Sequence, residues 1–220
     1  VFAAHGNTVD AVTSQMAWVA GSSGSDSKAR VIRTVDGGTT YTAATGTISS
    51  TFYAYDVWAE STSTAWVTGY DVGTGHQYIY YTSNSGETWT QQYDTAAGIL
   101  HDLYFLPGNN IGWAIESSGA ILKTTNAGGT WTQVASFGAG IIDTYSQAWF
   151  LNENVGFITG DGCSGSNDKF STTIDGGVNW TKRSLPCTKG PISFYGNSGL
   201  IGAGNSSAVS QIARIIFAFS

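Results

Sequence analysis

Three carboxylates recur in similar surroundings: Asp10 in Val9-Asp10-Ala11, Asp56 in Tyr55-Asp56-Val57 and Asp102 in His101-Asp102-Leu103. Gathered on one wall, such acids could hold a cation, grip a polar ligand or divide acid and base work between them. Glycoside hydrolysis needs two carboxyl groups about 5–10 Å apart across the scissile bond, and Asp56 with Asp102 is the pair available for it. The competing expectation is structural. An acid repeated at a strand start satisfies backbone N–H groups of an adjacent loop, and repetition favours that role because symmetric catalytic acids are rare. Tyr53, Tyr55, Trp58 and Tyr104 belong to the same runs, and Tyr145 and Trp149 to the equivalent run of the fourth repeat. Most of these must pack between sheets, and those facing an opening could stack on sugar rings or peptide side chains. His5, His76 and His101 lie in three different repeats without ligand spacing, so no metal is expected, and no cofactor either. Asp161–Asp168 is rich in oxygen but lacks the alternation of a calcium loop.

The elements that must position these residues are repeated. Thr34-Val35-Asp36-Gly37-Gly38-Thr39-Thr40-Tyr41-Thr42 returns as Thr82–Thr90, Thr124–Thr132 and Thr173–Thr181, with steps of 48, 42 and 49 residues. Before each copy stands a short apolar landmark: Trp18-Val19-Ala20-Gly21, Trp66-Val67-Thr68-Gly69, Gly112-Trp113-Ala114-Ile115 and Gly156-Phe157-Ile158-Thr159-Gly160. A fifth, Gly199-Leu200-Ile201-Gly202, has no turn motif after it. β-like runs flank every landmark, so each unit of about 40–50 residues is expected to form four antiparallel strands, one propeller blade. The expected fold class is all-β: a five-bladed β-propeller of four-stranded antiparallel blades in one domain. Approximate blade bounds are 8–46, 50–96, 98–137, 140–188 and 190–220 plus 1–5. The chain stops where the fifth turn motif would begin, and Val1–His5 is expected to supply the missing outer strand and close the ring. Closure hides the exposed edges of the first and last blades.

In the turn motif the third residue is Asp36, Asn84, Asn126 or Asp175. Its short side chain can accept backbone N–H bonds of the turn, and the glycines that follow permit a tight reversal. The closing aromatic (Tyr41, Trp89, Trp131, Trp180) is expected to fold back over the turn from the core side. Two copies carry Asn, which turn closure tolerates and a catalytic carboxylate would not. The pattern Ser/Thr-x-Asp-x-Gly-x-Thr-Trp resembles the Asp-box, or BNR repeat, of sialidase-like propellers. With the Gly-Trp-Ala/Val strand it is similar to photosystem II assembly-factor propellers and secreted BNR-repeat proteins. The resemblance implies the propeller fold over nearly the whole chain, and it implies no single function. A sialidase would require an arginine triad. Arg30, Arg33, Arg183 and Arg214 are all that the chain has, and none falls on an expected inner strand.

Composition narrows the partners. Charged residues make up 11% of the chain and the net charge is −6, so no basic stripe exists for nucleic acid or an anionic membrane. No run of about 20 apolar residues offers a membrane span. Cys163 and Cys187 flank the fourth turn motif and suffice for one disulfide; two buried free thiols are the alternative. Asn179-Trp180-Thr181 and Asn205-Ser206-Ser207 match the glycosylation sequon, and Asn205, outside the turn motifs, is the better acceptor. An opening Val with no charged, apolar leader resembles a processed, exported chain. The functional expectation is a non-enzymatic binding or assembly module, secreted or lumenal, that recognises a protein or glycan on an axial face. A lectin with repeated sites and a glycoside hydrolase built on the inner-strand acids are the alternatives.

Overall fold

Runs rich in Thr, Val and aromatic residues, punctuated by glycine turns, suit a pleated half-buried surface, and they form strands throughout. The computed structural model describes residues 4–23, 29–46, 48–137, 147–159, 170–183, 192–195, 198–205 and 208–216. The first sheet contains β1 (Ala4–Ala11), β2 (Ala17–Ser23), β3 (Ala29–Thr34) and β4 (Thr42–Ala43). The second contains β5 (Phe52–Ala59), β6 (Ala65–Asp71), β7 (His76–Thr82) and β8 (Thr90–Thr95). The third contains β9 (Leu100–Phe105), β10 (Gly112–Glu116), β11 (Ala120–Thr124) and β12 (Thr132–Ser136). The fourth contains β13 (Gln147–Phe150), β14 (Gly156–Thr159), β15 (Phe170–Thr173) and β16 (Thr181–Arg183). The fifth has three described strands, β17 (Ile192–Tyr195), β18 (Ser198–Asn205) and β19 (Ala208–Ile216). Every sheet runs in chain order, and its first strand touches the first strand of the next sheet: β1 on β5, β5 on β9, β9 on β13, β13 on β17.

One expectation needs correction. Ala4 and His5 pair with Ser23 and Ser22, so they lengthen β1 rather than serving the fifth sheet. Backbone donors in this stretch find acceptors on β2, which is nearer in sequence than β19 and costs less chain entropy to reach. Among the described residues β1 thus extends from Ala4 to Ala11. Val1–Ala3 lie outside the described residues, as do Cys163 and Cys187.

The core lies between sheets. Trp18, Val31, Phe52 and Val57 pack together from the first two. Ile79, Leu103, Ala114 and Leu122 join the second to the third. Ile115, Ile121, Phe150 and Ile158 join the third to the fourth. Alternation puts Ala114 and Ile115 on opposite faces, so both faces of β10 are buried and its pattern is apolar throughout. The glycine before the aromatic landmark also has a local cause. A Cβ on Gly112 would lie 2.4 Å from the Phe105 ring, and one on Gly156 would lie 2.3 Å from the Phe150 ring.

The landmark tryptophans reach across to the following sheet. Trp18 Nε1 donates to Ser61 O (2.8 Å), Trp66 Nε1 to Ala127 O (3.2 Å) and Trp113 Nε1 to Gly176 O (2.9 Å). Each turn motif in turn bonds the loop between the first two strands of its own sheet. Gly37, Ser85, Ala127 and Gly176 donate N–H bonds to the carbonyls of Gln15, Ser63, Asn110 and Asn154. The turns are thus fastened to the loops that continue the innermost strands.

Inside each turn, the third residue accepts from the N–H four residues on: Asp36 Oδ1 from Thr40 N (2.9 Å), Asn84 Oδ1 from Thr88 N (3.0 Å), Asn126 Oδ1 from Thr130 N (2.8 Å), and Asp175 Oδ1 from Asn179 N (2.9 Å). The fourth residue is left-handed even where it is not glycine, with φ of 65° at Ser85 and 54° at Ala127. Trp180 Nε1 donates to Gly177 O within its turn (2.7 Å). Trp89 and Trp131 pack on the cores, whereas Tyr41 is 52% exposed.

Two of these turns titrate and two do not. The hydroxyl and N–H of Thr40, with the Thr34 hydroxyl, hold Asp36 down at about 2. The Asn179 N–H and side-chain amide lower Asp175. A depressed carboxylate contributes stability that is present above its unfolded value, near 4, and lost as pH falls through the folded value. Below pH 4, amide exchange at Thr40 and Asn179, corrected for intrinsic rates, is expected to accelerate relative to Thr88 and Thr130, whose turns rest on Asn. Equal acceleration at all four amides would show that the acids do not hold the turns.

Candidate functional site

The first strands surround a cavity of about 180 Å³ lined by Thr8, Asp10, Asp56, Trp58, Asp102, Tyr104, Gln147 and Trp149, with intervening backbone. Side chains two apart on a strand share a face, so each strand contributes one pair. Register sorts the pairs into two levels. Thr8, Asp56, Asp102 and Gln147 stand opposite Ala20, Thr68, Ile115 and Thr159; Asp10, Trp58, Tyr104 and Trp149 stand opposite Trp18, Trp66, Trp113 and Phe157. Sequence comparison aligned Asp10 with Asp56 and Asp102, but the counterpart of those two acids in the first sheet is Thr8. A bulge precedes the polar level in three strands, at Asn7, Tyr55 and His101. Tyr55 does not line the cavity; its ring lies 6.3 Å from that of His101.

Each inner acid spends an oxygen on the next sheet. Ala59 N–H donates to Asp10 Oδ2 (2.7 Å), Leu103 N–H to Asp56 Oδ2 (2.8 Å) and Ala148 N–H to Asp102 Oδ2 (2.7 Å). The reason lies in topology. β5, β9 and β13 are edge strands of their sheets, so half of their backbone groups lack a ladder partner and need one elsewhere when buried. The donors belong to the neighbouring first strand, not to the adjacent loop that sequence reasoning expected.

The polar level is continuous. Thr8 Oγ1 donates to Asp56 Oδ1 (2.8 Å), and the Asp56 and Asp102 carboxyls are hydrogen-bonded to each other. Burial pushes Asp56 up to about 6, against the pull of the Leu103 N–H and the Thr8 hydroxyl. Burial and the Asp56 charge push Asp102 well above the carboxylate range. Two acids in contact cannot both ionise cheaply, so the pair retains a shared proton to higher pH than a free carboxyl.

Comparison with known proteins bears on the arrangement of sheets. No protein-family model and no curated protein matches the chain. Among solved structures it is similar to YCF48 from Cyanidioschyzon merolae, at 17% identity and a TM-score of 0.64 over 98% of this chain and 72% of that one. A structure of YCF48 bound to D1 peptide matches at 14% identity and a TM-score of 0.52, over 99% and 95% of the two chains. The GH74 xyloglucanase of Xanthomonas campestris matches at 12% identity and a TM-score of 0.70, over 96% of this chain and 35% of that one. A nidogen/laminin complex matches at 10% identity and a TM-score of 0.67, over 91% and 73%. The fold is that of a β-propeller. Its sheets are blades, and the cavity lies where their first strands meet.

The second level of that cavity is aromatic. Trp58, Tyr104 and Trp149, from blades two, three and four, form an arc with ring centroids 4.9 and 5.3 Å apart. Tyr104 is fixed because its hydroxyl donates to Phe150 O (2.7 Å). Burial pushes its phenol up, so a nucleophilic phenolate is disfavoured. Sequence reasoning named these aromatics but had no means of telling which face the opening. It missed Thr8, which has no repeat to announce it. Of the glycosylation candidates, Asn179 donates its side-chain amide to Asp175 Oδ2 (2.7 Å) inside the turn, and Asn205 lies on β18.

Proposed function

We propose that this propeller is a non-enzymatic binding or assembly module that takes a segment of a partner protein at an axial face. The observation that carries the reading is the commitment of Asp10, Asp56 and Asp102 to backbone N–H groups of the neighbouring blades. Carboxylates used as staples are poor candidates for acid and base catalysis, while the aromatic arc beside them is a stacking surface. Fold neighbours solved with partners, YCF48 with D1 peptide and the nidogen/laminin complex, support a protein ligand. The same arc favours a second reading, a lectin, since Trp and Tyr faces also stack on sugars. We further infer a ring of five blades, an Asp-box relationship for the four turns, a Cys163–Cys187 disulfide, glycosylation at Asn205 and a secreted or lumenal setting. These rest on repeat count, motif pattern and composition.

The test pairs a peptide array with a glycan array and a panel of chromogenic glycosides. Peptides are expected to be retained, with Trp149→Ala lowering their binding about tenfold through lost stacking. Glycan hits without peptide hits would favour the lectin. Glycoside turnover abolished by Asp56→Asn or Asp102→Asn would replace the binding reading with the hydrolase.

A further inference from the structure

Beside the aromatic arc lies a second cavity, also of about 180 Å³, where the first strands of three blades run into the loops that follow them. Asp10 and Val12 come from blade one, Trp58 and Glu60 from blade two, Phe105 and Asn109 from blade three. Its size is below the roughly 300–1,000 Å³ of pockets that enclose whole small ligands, so it suits one long side chain of something larger. Its chemistry is uneven. Trp58 and Phe105 give an aromatic wall, Asp10 a carboxylate pinned at depth by the Ala59 N–H, and Glu60 an exposed carboxylate at the mouth. Among the described residues no Lys or Arg lines the cavity, so neither acid has a cation within it. Tyr104 and Phe105 meet the Trp58 ring at 57° and 38° rather than lying flat on it.

We propose that this cavity receives an arginine side chain of a partner polypeptide, its guanidinium lying against Trp58 and bonded to the Asp10 and Glu60 carboxylates. The assignment rests on the protein-binding reading above and names the partner's chemistry. An anionic group would meet two like charges. A neutral side chain or a sugar hydroxyl would leave the inner carboxylate without compensating charge. A guanidinium satisfies both surfaces at once, because it stacks on aromatic faces and presents a planar fork of donors to carboxylates. Lysine carries the same charge on a compact, strongly hydrated head that does not stack, so it fits less well. The net charge of −6 favours approach of basic segments generally. Burial raises the Asp10 carboxyl, and a cation placed against it offsets that penalty.

The experiment titrates the full chain with the acetylated, amidated tripeptides Gly-Arg-Gly, Gly-Lys-Gly and Gly-citrulline-Gly, following tryptophan indole N–H shifts by NMR. The arginine peptide is expected to bind, the lysine peptide several-fold more weakly, and the isosteric, uncharged citrulline peptide not at all. Glu60→Gln, an exposed change that spares the fold, is expected to weaken arginine binding about threefold, and Trp58→Leu about tenfold. Equal binding of the citrulline and arginine peptides, or no effect of Glu60→Gln, overturns the assignment. Capture of arginine-free peptides on the array, insensitive to Glu60→Gln, also overturns it and leaves the binding function standing. No binding by any peptide of any composition removes both.

Discussion

Replacing Trp113 by alanine is expected to destabilise the protein by about 3–5 kcal/mol, the range for truncating a fully buried tryptophan. For a chain of this size that corresponds to a melting-temperature drop of roughly 6–20 °C. Trp113 is 0% exposed. Its ring stacks on Phe150 of blade four at 3.5 Å and 5°, and its N–H bonds Gly176 O in the blade-four turn. Lys123 lies over the same ring, 5.0 Å from its centroid. The substitution therefore opens a cavity at the junction of blades three and four and leaves a turn carbonyl without its donor. Trp113→Phe separates the two losses. It keeps much of the stacking surface and removes the N–H bond with part of the indole, at about 1–3 kcal/mol. Urea denaturation of the two variants measures the split. If Trp113→Phe costs as much as Trp113→Ala, the hydrogen bond rather than the ring holds the blades together.

The second large effect concerns the inner acids. Asp102→Ala removes the acceptor of the Ala148 N–H and the partner of Asp56 together, and is expected to cost about 2–4 kcal/mol. Asp102→Asn keeps an acceptor for Ala148 and lets its amide donate to Asp56, so it should be close to neutral at pH 5. The two variants differ most informatively in their pH dependence. Asp56 and Asp102 are raised above the ordinary carboxylate value in the folded state. The folded protein thus holds a proton that the unfolded chain has released, and stability falls as pH rises. That loss begins near pH 4, where free carboxyls ionise, runs through about 6 for Asp56, and continues higher for Asp102. Its sign is opposite to that of the turn acids Asp36 and Asp175, which act at lower pH. Wild-type protein should be more stable at pH 5 than at pH 8 by this contribution, and Asp102→Asn should flatten the profile. A wild-type profile already flat between those values would show that the pair does not share a proton.

Much of the architecture is local in origin and was legible in residues alone. Thr34–Thr42 and its copies close their turns through bonds spanning at most four residues, so their spacing in the chain is sufficient to mark them. Four strands per repeat follow from apolar runs between those turns, and four sheets have that form. The landmark tryptophans were visible as strand markers, but not as connectors. Nothing near Trp113 in sequence names Gly176, 63 residues away, as the carbonyl its N–H seeks.

The inner acids show most clearly what tertiary structure decided. Their residue types and repetition pointed to one wall, and Asp10, Asp56 and Asp102 do line one cavity. Matching by residue type aligned Asp10 with Asp56 and Asp102, whereas pairing with the second strands puts Asp10 level with Trp58 and Tyr104, two residues further along. At the level of Asp56 and Asp102 it is Thr8 that stands beside Asp56. The pairing of Asp56 with Asp102, and the cavity that joins Asp10 to Asn109, depend on how successive blades lean together. Short-range hydrogen bonding let the sequence determine the turns and strands. Which oxygen meets which proton across blades is a property of packing between segments more than 40 residues apart, and only the assembled blades could decide it.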